Sequence, residues 1–196
     1  MLEQRIQQQF FDSADLQYQT AESLARPVAD AAQALTGCIT AGGKLLVAGV
    51  GGGAALAQHF CAAFVGRFER ERPALAAVAL AADAVLLGAL ARNGEPAWVK
   101  QIQALGQSGD VLLLIDPLGK DAALKAGIEA AHARDMAVVL LGGRGAPALR
   151  DLLGETDVLI AVPHDRAARV VELQLLVLHC LCDAVDLQLM GEQDPL

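Results

Sequence analysis

Five short apolar runs, all but the fourth followed by a stretch of helical pattern, limit what this 196-residue chain can fold into. They are Lys44–Gly49 (KLLVAG), Leu75–Leu80, Asp110–Ile115 (DVLLLI), Ala137–Leu141 and Val158–Val162. Runs that are apolar at every position have no polar face to show to water, so both faces must be covered. Alternation with helical stretches at 54–68, 83–91, 95–105, 121–133 and 165–189 supplies that cover. The expected fold is α/β: a three-layer α/β/α sandwich with a five-stranded parallel sheet. Two further helices, 2–21 and 26–41, precede it, divided at Arg26-Pro27, where the proline suits a first helical turn. The whole reads as one domain: N-terminal helices over 1–41, an α/β core over 42–190 and an acidic tail over 191–196.

Composition narrows the function classes. Hydrophobic residues make up 54% but aromatics only 4%, so the apolar content is mostly Ala, Leu and Val, and disorder is excluded except at the ends. The net charge of −8 with no basic cluster excludes direct binding to nucleic acid or an anionic membrane. No apolar run reaches the ~18–20 residues of a membrane span without a charge or glycine inside it. The amphipathic N-terminus has no secretory h-region, which gives a cytoplasmic expectation. Cys38, Cys61, Cys180 and Cys182 form no CxxC pair or zinc spacing and read as reduced, buried thiols. The run RFERERP, with Arg67, Arg70 and Arg72, reads as solvated charge. The last helix is apolar on nearly every side, which calls for a second subunit to cover part of it.

The loop Gly49–Ala54 joins the first strand to a helix. Glycines there let the backbone approach a ligand, and a helix N-terminus offers free N–H groups to a phosphate. The spacing is neither GxGxxG nor a GK[ST] loop, so a purely structural turn accounts for it equally well.

The stretches AGGKLLVAGVGGG, AQHFCAAFVGRFERERPALAAVAL, LGQSGDVLLLI, HARDMAVVLL and VPHDRAARVVELQLLVLHCLCDAVD together resemble the SIS (sugar isomerase) domain family. Within it they fall in the branch of the phosphoheptose isomerases and of DiaA, the DnaA initiator-associating protein; QHFxA, RFExERP and HCLCD lie closer to DiaA. The resemblance implies the SIS fold, a homotetramer, and sugar-phosphate loops at Gly51, Gly52 and Gly53 and at Asp116, Leu118 and Lys120. It also marks departures. The family's Asn and Ser in the first turn are Val50 and Gly53 here, and the serine-rich second loop is Ile115–Asp121 (IDPLGKD), without a hydroxyl. Asp116 is expected to repel a phosphate. Lys120 reads either as a compensating cation or as an exposed loop lysine.

The isomerases' zinc ligands map onto His59, Ala63, Val171 and His179, which leaves two imidazoles where three or four protein ligands are usual. Loss of the Glu at Ala63 also removes the general base, and a further acidic position maps onto Asn93. His59 reads first as a satisfied, partly buried imidazole, and His179 as a hydrogen-bonded core residue or a remnant catalytic acid. Trp98 reads as packing. Leu189 and Met190, placed after the last helix, read either as an apolar partner anchor or as a frayed helix end.

These residues give a leading expectation of a non-enzymatic, cofactor-free DiaA-like adaptor for the DnaA initiator, with weak or no sugar-phosphate binding. The alternatives are a phosphoheptose isomerase acting on sedoheptulose 7-phosphate, with zinc and a catalytic His179, and a sugar-phosphate sensor.

Overall fold

The computed structural model describes residues 1–80, 82–90 and 96–192, so Asn93 and the last four tail residues lie outside the described residues. The strands are β1 (Leu45–Gly49), β2 (Ala77–Ala79), β3 (Val111–Asp116), β4 (Ala137–Gly142) and β5 (Val158–Ala161). They form one sheet in the order β2-β1-β3-β4-β5, with every neighbouring pair parallel. The helices are α1 (Leu2–Thr40), α2 (Gly53–Val65), α3 (Ala84–Leu90), α4 (Ala97–Leu105), α5 (Ala122–His132) and α6 (Ala167–Met190), with a 3-10 helix over Ala146–Leu152.

Strand alternation sends side chains to two cores. Leu45, Val47, Val111, Leu113 and Ile115 meet α1, α2 and α6 on one face. Leu46, Ala48, Leu112, Leu114 and Leu140 meet α4, α5 and the 3-10 helix on the other. The three-layer parallel architecture is thus as the apolar runs require. Trp98 is a packing residue: a Cβ on Gly127 would lie 2.3 Å from its Cζ3.

Four local expectations are corrected. The two N-terminal helices are one, with Pro27 inside α1. Interior proline costs about 3 kcal/mol. Leu24 before it and Leu35 beyond it are both buried, and each such side chain is worth roughly 1.5–3 kcal/mol. Packing therefore outweighs the break. The helix α2 stops at Val65, ended by Gly66, three residues short of the expected Phe68.

Arg70 and Arg72 are not solvated. Arg72 has no side-chain exposure, its Nε lies 2.6 Å from Asp186 Oδ1, and its guanidinium stacks on Phe64. Arg70 donates to the carbonyls of Asp186 and Gly191. Only Arg67 stays at the surface, paired with Glu71. A carboxylate buried on α6 draws both arginines in, because an unpaired buried charge would be costly.

The four thiols are free, yet Cys180 is exposed while Cys182 is buried. Two residues apart on a helix, they face opposite ways. The same geometry splits α6. Leu173, Val177, Leu181 and Val185 are buried, whereas Leu176 and Leu187 are 38% and 45% exposed. Among the described residues no helix is long and apolar enough to cross a membrane.

Candidate functional site

Strands β1 and β3 are neighbours, but the helices that follow them leave to opposite faces: α2 joins the α1/α6 layer and α5 the other. Divergence of this kind opens a crevice at the carboxyl ends of the strands. A cavity of about 500 Å³ lies there. Its lining comes from three corners: Val50, Gly51 and Gly52 before α2; Asp116, Pro117, Leu118, Lys120 and Asp121 before α5; and Ala167, Ala168 and Val171 in the first turns of α6. The loop residues Gly51, Gly52, Asp116, Leu118 and Lys120 therefore do converge on one site.

In the third corner only Val171 carries a motif signal; Ala167 and Ala168 have neither a glycine's backbone freedom nor a hydroxyl. Parallel topology alone places the helix after β5 at the carboxyl edge. Three helix N-termini thus meet at the cavity, and those of α2 and α6 have no side-chain cap. Uncapped N–H groups give such a pocket a positive bias. The N-terminus of α5 is capped by Asp121, which accepts from the Ala123 N–H at 2.8 Å.

The first turn is tightly built. The N–H of Val50 donates to the Ile115 carbonyl at 2.9 Å, and that of Gly53 to Val50 at 2.9 Å. Gly51 has φ +54°, a left-handed conformation that suits glycine. Gly53 does not line the cavity. It is buried as the first residue of α2, and a Cβ there would lie 2.3 Å from the Ile115 oxygen. The absent hydroxyl at this position is therefore a matter of space in this turn as well as chemistry.

Asp116 is 3% exposed. Its Oδ1 accepts from the N–H of Leu118 at 2.9 Å, and its Oδ2 accepts from those of Lys120 at 3.0 Å and Asp121 at 3.1 Å. The carboxylate organises its own loop. Lys120 and Leu118 are both exposed, and Lys120 is the cationic side chain of the lining.

The two histidines lie outside this lining but touch each other. His59 Nε2 and His179 Nε2 are 2.9 Å apart, with Phe68 stacked obliquely on His179 at 5.4 Å between centroids. The two nitrogens stand at hydrogen-bond distance, and which ring donates depends on the tautomer. His59 is exposed, not partly buried, because α2 turns it away from the core toward α6. Ala63 and Val171 add no donor, and among the described residues no group of three or more His, Cys, Asp or Glu side chains is placed to hold a metal. The residues do not fit the zinc that the resemblance implied.

Leu189 and Met190 do not follow the last helix; they are its final two residues. Leu189 packs against the core, which leaves Met190 as the exposed member. Amphipathic continuation of α6 carries Leu189, but not Met190, into the fold.

Fold and cavity together define a class: an open parallel α/β sandwich with a ligand crevice at its switch point, fronted by a glycine turn. A family model described as SIS domain matches residues 9–143, and the chain belongs to that family. It is 58% identical to a phosphoheptose isomerase of Methylibium petroleiphilum, over 99% of this chain and 98% of that protein. It is 45% identical to a DnaA initiator-associating protein DiaA of Yersinia pseudotuberculosis, over 99% of this chain and 100% of that one. The solved phosphoheptose isomerase of Neisseria gonorrhoeae superposes with a TM-score of 0.88 at 38% identity, covering 95% of this chain and 99% of that one.

Proposed function

We propose that the chain takes a phosphorylated sugar at the carboxyl-edge cavity and acts as a phosphoheptose isomerase, the activity named for several of its relatives. The observation that carries this reading is the cavity itself. Its roughly 500 Å³ falls in the usual range for small-ligand sites, about 300–1,000 Å³. The uncapped α2 and α6 termini and Lys120 offer a phosphate positive potential. Aldose–ketose isomerisation needs a group that moves a proton between adjacent carbons. Asp116 is engaged by three N–H groups. On this reading the proton transfer falls to Asp121, supported by its being the exposed carboxylate of the lining.

The test is turnover of sedoheptulose 7-phosphate by the full chain and by Asp121→Asn. Asparagine caps a helix about as well as aspartate, so the variant should melt like the parent while losing activity. Turnover of at least ~1 s⁻¹ by the parent supports the reading, and none at millimolar substrate refutes it.

A second reading has its own support. Ala63 and Val171 leave the His59–His179 pair without a carboxylate, and the DiaA relative matches along its full length. On that reading the chain is a non-enzymatic, cytoplasmic adaptor for the DnaA initiator, with Met190 at the contact. Binding of purified DnaA by an inactive chain, weakened by Met190→Glu, supports it. Either role is proposed for a homotetramer. Leu2, Ile6, Phe10 and Phe11 stand 49–73% exposed on the first turns of α1, a surface that a second copy would cover.

A further inference from the structure

We propose that Asp116 is the resident anion of the cavity: it fills the N–H cluster of the β3–α5 turn and so excludes an external oxyanion from that corner. The inference deepens the sugar-phosphate reading by stating where the phosphate cannot sit, and it rests on that reading only for the kind of anion the cavity meets.

The carboxylate is fixed from both ends. Its two oxygens accept three main-chain N–H groups, from Leu118, Lys120 and Asp121. These are the donors that an oxyanion entering the turn would need, and bonds from N–H to a charged carboxylate are stronger than neutral ones. The Asp116 carbonyl in turn accepts from Gly143 N–H at 3.1 Å and from the buried Gln174 amide at 3.2 Å. The turn cannot open easily to make room for both groups. Gly119 sits at φ +70°, and a Cβ on it would lie 2.5 Å from the Ala146 nitrogen. A second anion in this corner would face a buried carboxylate with its N–H partners already taken.

The inference separates this corner from the other two. At α5 both the turn, through Asp116, and the helix cap, through Asp121, are satisfied internally. Asp116 therefore acts as a specificity-determining residue. It replaces a ligand contact with a permanent one, ties its own loop through three N–H groups, and limits the cavity to ligands whose anionic group lies elsewhere.

Thermal melting of the full chain with inorganic phosphate, and separately with formate, tests this. Asp116→Ala should melt lower than the parent in anion-free buffer. Phosphate at tenfold over the variant's dissociation constant should raise the variant by about 3 °C or more beyond whatever the same concentration gives the parent through the α2 and α6 termini, and formate, small enough to fill the vacated corner, should show the same excess. Should Asp116→Ala not fold, Asp116→Ser decides by the same readout, since its shorter side chain also vacates the corner while keeping one acceptor. Equal stabilisation of parent and variant overturns the proposal, as does a folded variant that no anion restores. Sedoheptulose 7-phosphate turnover is scored separately. An inactive parent whose variant gains anion binding retains this inference while losing the isomerase reading; the converse result does the opposite.

Discussion

Replacing Gly53 by Ser, the residue the family carries there, should damage the first turn rather than restore a phosphate ligand. A Cβ at Gly53 would lie 2.3 Å from the Ile115 oxygen, 3.0 Å from its carbon and 3.3 Å from its Cγ2. That carbonyl cannot simply retreat, because it accepts the Val50 N–H at 2.9 Å and ties the end of β1 to β3. Nor can Gly53 move the other way. A Cβ on Gly49 would lie only 2.1 Å from the Gly53 carbon, which shows how closely the two backbones already approach. Overpacking of this kind costs roughly 1–3 kcal/mol, and a buried carbonyl left without its partner adds about 1–3 kcal/mol. The sum, about 2–6 kcal/mol, is a large part of the roughly 5–15 kcal/mol that holds a domain folded. For a chain of this length it corresponds to a fall in melting temperature of about 4–24 °C. Circular dichroism melts of the parent, Gly53→Ala and Gly53→Ser read it directly. Both variants share the Cβ, so they should fall together, with the hydroxyl making little difference. A Gly53→Ala protein that melts within about 1 °C of the parent would refute the reasoning.

Burial pushes the Cys61 and Cys182 thiols from near 9.0 up to about 12. The folded chain keeps protons that the unfolded chain loses, so this contribution is complete below pH ~9 and declines as pH rises toward ~12, by at most about 1.4 kcal/mol per unit per thiol. Urea midpoints between pH 8 and 11 should show that decline in the parent and a shallower one in Cys61→Ala with Cys182→Ala. Installing Ala63→Glu with Val171→Gln should give the His59–His179 pair further zinc donors and tighten zinc at least about tenfold, or about 1.4 kcal/mol, by chelator competition; an unchanged affinity counts against that placement. Light scattering should give four times the 20.4 kDa chain mass for the parent, and a smaller assembly for Ile6→Glu with Phe10→Glu; a monomeric parent would remove the tetramer from the proposal.

The sequence by itself determined the layers of this protein. Apolar runs such as VLLLI carry their own instruction, because a strand with no polar face must be buried on both sides, and the helices between such runs leave only a parallel sheet. The glycine turn at 49–54 was legible for a similar local reason, since turn chemistry acts within a few residues of itself, whereas Asp116 was reached through the resemblance and its hold on its own loop was not foreseen. What the tertiary structure decided was every meeting of distant residues. Pro27 reads locally as a helix boundary, yet the burial of Leu24 and Leu35 on one face carries α1 through it. Arg70 and Arg72 read as solvated until Asp186, far along the chain, appears beside them. His59 and His179 are 120 residues apart and touch only because α2 and α6 share a face of the sheet. Ala167 and Ala168 have no chemistry of their own and enter the cavity through topology alone. Periodicity encodes how deeply each residue is buried, whereas the partner it meets there is fixed by how the layers pack.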